Sequence, residues 1–175
     1  HHWKKEGYDA IGLDRSEEMV NKARENYPDL QFKHGDTMDA MNFEDETFDL
    51  ITSLYFTLYY IENKQQFFKN CYNWLKPNGY LVVHLVDRDK FDPILPVANP
   101  LAMISAQKYT KDRLTSSLVK FNGFQYKANF DLKGDDATFT ETMEDDNTKN
   151  VRQNIHHFYM LHSNIGFHIN NFSHN

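Results

Sequence analysis

YDAIGLDRSEEMVNKA, Tyr8 to Ala23, sets an acid, Asp14, where a run of strand formers stops and a helix begins. Ile11 and Leu13, with Tyr8, Ala10 and Gly12 alternating around them, read as a short buried strand. Ser16, followed by Glu17 and Glu18 and then Met19, Val20 and Ala23, reads as a capped amphipathic helix. Asp14 therefore stands at the carboxyl end of a strand. In an open α/β sheet that edge is where ligands bind, and an acid there commonly accepts hydrogen bonds from ribose hydroxyls. Asp is equally the residue type that caps the next helix. The rest of the chain has to decide between the two.

The pattern repeats downstream. DLQFKHGD, Asp29 to Asp36, is a second short strand closed by an acid, and ETFDLITSLYFTLYYI from Glu46 offers a third. Its apolar density, with Phe48, Leu50, Ile51 and Leu54, predicts burial on both faces, as in a parallel sheet. Between Asn63 and Tyr80, Phe67, Phe68, Cys71, Trp74 and Leu75 recur at helical spacing, and Pro77-Asn78-Gly79 is expected to end that helix. YLVVHLVD, Tyr80 to Asp87, is a fourth strand, again ending in an acid. The order β-α-β-β-α-β, with connections long enough for crossovers, predicts a doubly wound, mostly parallel Rossmann-like α/β sheet over residues 1–87.

The character changes after Asp87. FDPILPVANPL carries three prolines, so residues 88–116 read as a connection and lid rather than regular structure. From 117 to 175 the expectation is an antiparallel β cap followed by a return to the core sheet. FQYKANFDL (Phe124 to Leu132) and ATFTETMED alternate about a turn at Gly134-Asp135-Asp136, and NVRQNIHHFYM is a further strand pairing with them. One apolar face suits a cap and not an independent domain. With a period of two, Arg152, Asn154 and His156 share one face of that strand, while Val151, Ile155 and His157 take the other. The trio is either an acid-binding surface with His156 as general base or the wet side of the cap.

Composition narrows the function classes. In 175 residues with net charge −6 no basic stripe is visible, so nucleic acid is not the expected partner. A single cysteine, Cys71, excludes an intramolecular disulfide and a cysteine zinc cluster, and a reducing cytoplasm is the natural setting. No metal site is expected, since the nine histidines are scattered and His156 and His157 point to opposite faces. No apolar run approaches the ~20 residues of a membrane span, and no signal peptide is present. The oligomeric state is not legible.

Two acids in equivalent places, Asp14 and Asp36, together with GLDRSEEM, GDTMD, FDLITSLYFTLYYI and LKPNGYLVV in this order, resemble the class I S-adenosylmethionine-dependent methyltransferases. The resemblance covers Tyr8 to Asp87. It implies that Asp14 binds the cofactor ribose, with Arg15 and Met19 lining the adenosine. It also implies that Asp36 accepts from the adenine amino group and that Thr37 and Met38 meet the ring edge. The ordinary alternative for both methionines is core filling. Ser53, Leu54 and Tyr55 follow the third strand, where the family's methyl group faces its acceptor; Tyr55 and Tyr59 are the expected aromatic wall there, drawn to a positive sulfur by cation–π attraction. Tyr60 is expected to be a helix edge packing on the cap. Tyr55 and His156 are the candidates for catalysis; Tyr55, Tyr59, Arg152 and His156 are those for substrate binding.

The family's glycine-rich loop is not in this sequence. Trp3 to Gly7 reads as the tail of the helix that follows it, and the loop is either lost or upstream of His1. The implied reaction is in-line methyl transfer from S-adenosylmethionine, catalysed mainly by positioning, to an enclosed and small acceptor. Two alternatives are a noncatalytic protein that keeps the sheet as an interaction surface and a nicotinamide-binding oxidoreductase. The GDTMD segment argues against the second.

Overall fold

The computed structural model describes residues 2–86 and 111–161, so most of the proline-containing connection, Asp87 and the expected return to the core sheet lie outside the described residues. The chain divides into two units: His1–Leu54 with Asn63–Val83, and Tyr55–Glu62 with His84–Asn175. The sequence reading put 55–62 with the α/β core. The structure assigns that segment to the second unit.

In unit one, a short helix α1 (His2–Lys5) stops at Gly7, whose φ of +87° turns the chain toward β1 (Ile11–Asp14). Helix α2 (Glu17–Asn26) starts at Ser16, whose Oγ accepts the Met19 amide at 3.3 Å. Strand β2 (Gln31–His34) pairs in parallel with β1, bringing Asp14 opposite His34. Strand β3 (Phe48–Ser53) pairs in parallel with β4 (Leu75–Val83). The expected single sheet is therefore two parallel pairs, with no ladder between β1 and β3 among the described residues.

Helix α3 (Lys64–Trp74) is capped by Asn63 and buries Phe67, Asn70, Cys71 and Trp74. It ends at Trp74, short of the expected stop at Pro77. Leu75 already pairs with Phe48, and residues 76–79 form an irregularity before Tyr80 pairs with Leu50. A Cβ at Gly79 would sit 2.9 Å from the Lys76 carbonyl, which is why the bulge takes glycine there. The two-sided burial expected of β3 does not hold: Leu50 and Leu54 are each 40% exposed. The apolar density belongs to the whole segment, whose second half leaves the strand, forms a 3-10 turn over Thr57–Tyr60 and buries Leu58 and Tyr59.

Unit two is a four-stranded antiparallel sheet in the order β5 (Ser116–Phe121), β6 (Phe124–Lys133), β7 (Asp136–Asp145), β8 (Val151–Tyr159). β6, β7 and β8 follow the expected alternation. β5 was not read as a strand, although Asn122-Gly123 is a hairpin signal; Gly123 turns at φ +95°, and the Phe121 and Phe124 rings stack at 4.7 Å to close the loop. Tyr59, Phe130, Ala137 and Met160 form the buried cluster, with Phe56, Val86, Leu132, Phe139 and Phe158 packed on it. Among the described residues no helix is long and apolar enough to cross a membrane.

Candidate functional site

Asp14 and Asp36 are joined through the backbone. The Gly35 amide donates to the Asp14 carbonyl at 3.0 Å, so the turn after β2 is fastened to the end of β1 and both acids stand at the carboxyl ends of neighbouring parallel strands. Each carboxylate spends one oxygen on its own turn: Asp14 Oδ1 accepts the Ser16 amide at 2.8 Å and Asp36 Oδ1 the Met38 amide at 2.9 Å. The second oxygen of each has no partner among the described residues, and both residues are exposed. The capping and ligand-binding readings of Asp14 are thus compatible, because a carboxylate has two oxygens and about four lone-pair sites.

The loop after β2 is held from below. Asn70 of α3, 1% exposed, donates Nδ2 to the Thr37 carbonyl at 2.8 Å and accepts from Gln66 at 2.7 Å, while Trp74 donates Nε1 to the Ala40 carbonyl at 3.0 Å. Asn42 donates its amide nitrogen to the carbonyls of Asp36 and Asp39. A Cβ at Gly35 would run into that Asn42 amide, so the glycine between the strand and Asp36 is sterically required. Asn42 and Asn70 were not singled out in the sequence. A polar residue on the apolar face of α3 was the available signal for Asn70.

The remaining predicted cofactor residues fall in different settings. Met19 is 61% exposed, which removes core filling as its role, and Met38 and Thr37 are half-buried. Arg15 is exposed, its carbonyl facing His34 Nε2 at 3.0 Å. Ser53, the last residue of β3, is 7% exposed and its Oγ is buried without a hydrogen-bond partner. An unmade hydrogen bond on a buried hydroxyl is unfavourable by about 1–3 kcal/mol, which a bound polar ligand would recover. A hollow of about 320 Å³ lined by Lys4, Tyr8, Asp29 and Gln31 opens at the amino ends of β1 and β2, the edge opposite the acids. It is not the candidate site.

In unit two, Tyr55 and Phe56 occupy the left-handed region in succession, at φ 51° and 66°. Two bulky residues there store strain of the kind found at functional turns. Tyr55 is 79% exposed and edges onto His84 with ring centroids 6.2 Å apart. Tyr59 is a correction: it is 2% exposed, and its hydroxyl accepts the Val86 amide at 2.8 Å and donates to the Val86 carbonyl at 3.3 Å. It has neither surface nor a spare hydroxyl for a substrate. Burial of the aromatic face decided its place.

Register puts Arg152, Asn154 and His156 on the face that also carries the buried Tyr126, Ala128 and Phe130. Asn154 and His156 are half-buried there and so are not the wet side of the cap, while Arg152 is exposed; Val151 and Ile155, 61% and 54% exposed, are on the opposite face. His156 Nε2 lies 3.2 Å from Glu141 Oε2, whose other oxygen accepts the Tyr126 hydroxyl at 2.6 Å, and Tyr60 Oη lies 3.1 Å from His156 Nδ1. Burial, and then the Glu141 carboxylate, pushes the Tyr126 hydroxyl well above its ordinary value. Arg152 is exposed and outside this chain of bonds.

The family model described as a methyltransferase domain matches residues 1–83. That stretch is a little under half of the chain. Two curated relatives are similar to it. The erythromycin 3''-O-methyltransferase of Saccharopolyspora erythraea is 42% identical over 79 residues, covering 42% of this chain and 25% of that protein. The phosphoethanolamine N-methyltransferase of Plasmodium falciparum is 35% identical over 83 residues, covering 45% of this chain and 31% of that protein. The chain thus spans about a quarter to a third of the length of these relatives. Among solved structures, a S-adenosylmethionine-dependent methyltransferase from Clostridium acetobutylicum aligns over 88% of this chain and 58% of its own, with TM-score 0.63 at 16% identity. An S-adenosylmethionine-bound amino pentose methyltransferase from Micromonospora echinaspora aligns over 86% and 59%, with TM-score 0.55 at 18% identity. These likenesses extend past residue 83 into unit two and show a shared fold.

Proposed function

We propose that the protein is a S-adenosylmethionine-dependent methyltransferase acting on a small-molecule acceptor. The observation that carries the reading is the pair of acids at adjacent strand ends, Asp14 and Asp36, fastened by the Gly35 amide with one carboxylate oxygen of each left over. Asp14 holds the two ribose hydroxyls and Asp36 accepts from the adenine amino group, with Arg15, Met19, Thr37 and Met38 around the adenosine. A thioether side chain packs well on a flat ring, and the 61% exposed Met19 is available to do so. The orphaned Ser53 hydroxyl supplies a further buried donor or acceptor, so the residues present fit the cofactor.

When bound, S-adenosylmethionine supplies an electrophilic methyl group on a sulfonium. The chain's own contribution is to hold and orient the adenosine and to present the acceptor, in line with catalysis by positioning. Tyr55, Arg152 and His156 are assigned to the acceptor. A small acceptor accords with relatives named for an antibiotic, a phosphorylated ethanolamine and an amino pentose, and with a net charge of −6. A cytoplasmic location is part of this reading.

Calorimetry with S-adenosylmethionine on the full-length protein tests it. Asp14→Ala is expected to weaken binding by about 1.5–3 kcal/mol for each charge-assisted bond lost. Release of S-adenosylhomocysteine is then followed with a panel of macrolide sugars, amino sugars and phosphoethanolamine. Absence of cofactor binding by the parent protein, or equal affinity in Asp14→Ala, overturns the assignment.

A further inference from the structure

The turn that carries Asp36 is closed by one side-chain amide. Asn42, buried at the end of a short 3-10 turn over Ala40–Asn42, directs Nδ2 at two carbonyls, that of Asp36 and, at 3.1 Å, that of Asp39. Carbonyls only accept, so the NH2 end of the amide is the end that faces them. The Asp36 carbonyl also accepts the Asp39 amide at 2.9 Å, which uses both of its lone pairs. Asp36 is thus held on three sides: by the Gly35 amide on the Asp14 carbonyl, by its own carbonyl, and by Oδ1 on the Met38 amide. Asn42 is itself locked. Its backbone amide donates to the Asp39 carbonyl at 3.2 Å, Lys33 Nζ donates to its carbonyl, and its Oδ1 fills the space that a Cβ on Gly35 would need. Lys33 in turn lies over the Phe43 ring, 5.0 Å from its centroid. All of these residues belong to unit one.

We propose that Asn42 is a positioning residue that sets the base selectivity of the cofactor site, acting through Asp36. The proposal rests on the methyltransferase reading and deepens it by naming the residue that makes the site choose a 6-amino purine over a 6-oxo purine. Adenine presents a donor at C6, whereas hypoxanthine presents a carbonyl there. A carboxylate only accepts, so the second oxygen of Asp36 favours the first base and repels the second. A site built to hydrogen-bond one group rejects the analogue that lacks it, because its own polar group is left unpaired. That discrimination requires the oxygen to keep its direction. With Oδ1 spent on the Met38 amide, the direction of Oδ2 follows the backbone of residue 36, and the Asn42 amide fixes that backbone. An exposed carboxylate on a loose turn would swing to water and discriminate little. Alanine at position 42 has no donor for the two carbonyls, and aspartate would set a charge against two acceptors. Asn42 is buried beneath the turn and acts only through it.

Calorimetry on the full-length protein reads the selectivity with two ligands, S-adenosylhomocysteine and S-inosylhomocysteine, which differ in the C6 substituent and the N1 proton. The parent protein is expected to favour the adenine compound by about tenfold or more, the worth of one hydrogen bond to a charged group. In Asn42→Ala and Asn42→Asp that ratio is expected to fall to about threefold or less, as the bond loses its geometry. Gly35→Ala reaches the same amide from the other side, since its Cβ displaces the Asn42 side chain. It is expected to lower the ratio as well, and it keeps the test open should the position-42 variants not fold. A partly unfolded sample weakens both ligands by the same factor, so a loss of stability alone leaves the ratio where it was. Discrimination by the parent that persists unchanged in the variants overturns the role of Asn42 and leaves the methyltransferase reading standing. A parent protein that binds the two compounds alike overturns the proposal through Asp36. One that binds neither compound nor S-adenosylmethionine strikes the methyltransferase reading and the proposal with it.

Discussion

The two units use polar groups in opposite ways. In unit one the acids sit exposed at strand ends, where each carboxylate secures a turn with one oxygen and keeps the other available. In unit two the polar groups sit on the packed face of a sheet, and Tyr126, Glu141, His156 and Tyr60 satisfy one another in sequence. An exposed carboxylate is stable without a ligand because water solvates it, so it can be kept for binding. A half-buried polar side chain must be paired, and the pairing fixes its tautomer and orientation. Unit one therefore offers open valences, and unit two a chain of paired side chains.

The sharpest break of that comparison is to remove the packing that holds unit two. Tyr59→Ala deletes a core aromatic and both hydroxyl bonds to Val86, and urea unfolding is expected to show a loss of about 3–5 kcal/mol. By the same token a peptide of residues 111–161, lacking the 55–62 segment, is expected to show no cooperative melt.

Unit one answers through its buried amides. Asn70→Ala leaves the Thr37 carbonyl without its donor; the expected loss is about 1–3 kcal/mol in urea unfolding, together with weaker S-adenosylmethionine binding in calorimetry. A stability loss with unchanged affinity would separate the support of the loop from its function.

Ser16→Ala is a smaller change. The cap bond to the Met19 amide goes, and about 1 kcal/mol is expected, as for other N-caps, read as a shift in the urea midpoint.

The smallest effect near neutral pH concerns Cys71, whose thiol burial pushes up to about 12 from 9.0. A folded-state value above the unfolded one keeps the proton on the native thiol while the unfolded chain loses it. Stability is then untouched below pH 9 and falls as pH rises from about 9 toward about 12. Urea midpoints of the parent protein and Cys71→Ala measured from pH 7 to 10.5 check this. The difference between them should narrow on the alkaline side, and native Cys71 should resist alkylation at pH 8.

Much of unit one was legible because its signals are local. Ser16 and the two glutamates mark α2, Asp14 and Asp36 close their strands, and the spacing of Phe67, Cys71 and Trp74 marks α3, all within a few residues of chain. The end of α3 was misplaced because pairing of Leu75 with Phe48 overrode the turn signal at Pro77-Asn78-Gly79.

By itself the sequence determined the strand and helix order, the acids at strand ends, the antiparallel character of β6 to β8, and the sharing of one face by Arg152, Asn154 and His156. Periodicity of two decides which residues go together, not which face is covered. What covers a face comes from elsewhere in the chain. The 3-10 turn over Thr57–Tyr60 reaches His156 from 96 residues away, and Glu141 meets it from 15 residues away across the β7–β8 ladder. Only the tertiary structure could half-bury Asn154 and His156 while leaving Arg152 exposed, bury Tyr59 and join Tyr60 to His156, because those outcomes depend on long-range register and on which surfaces exclude water.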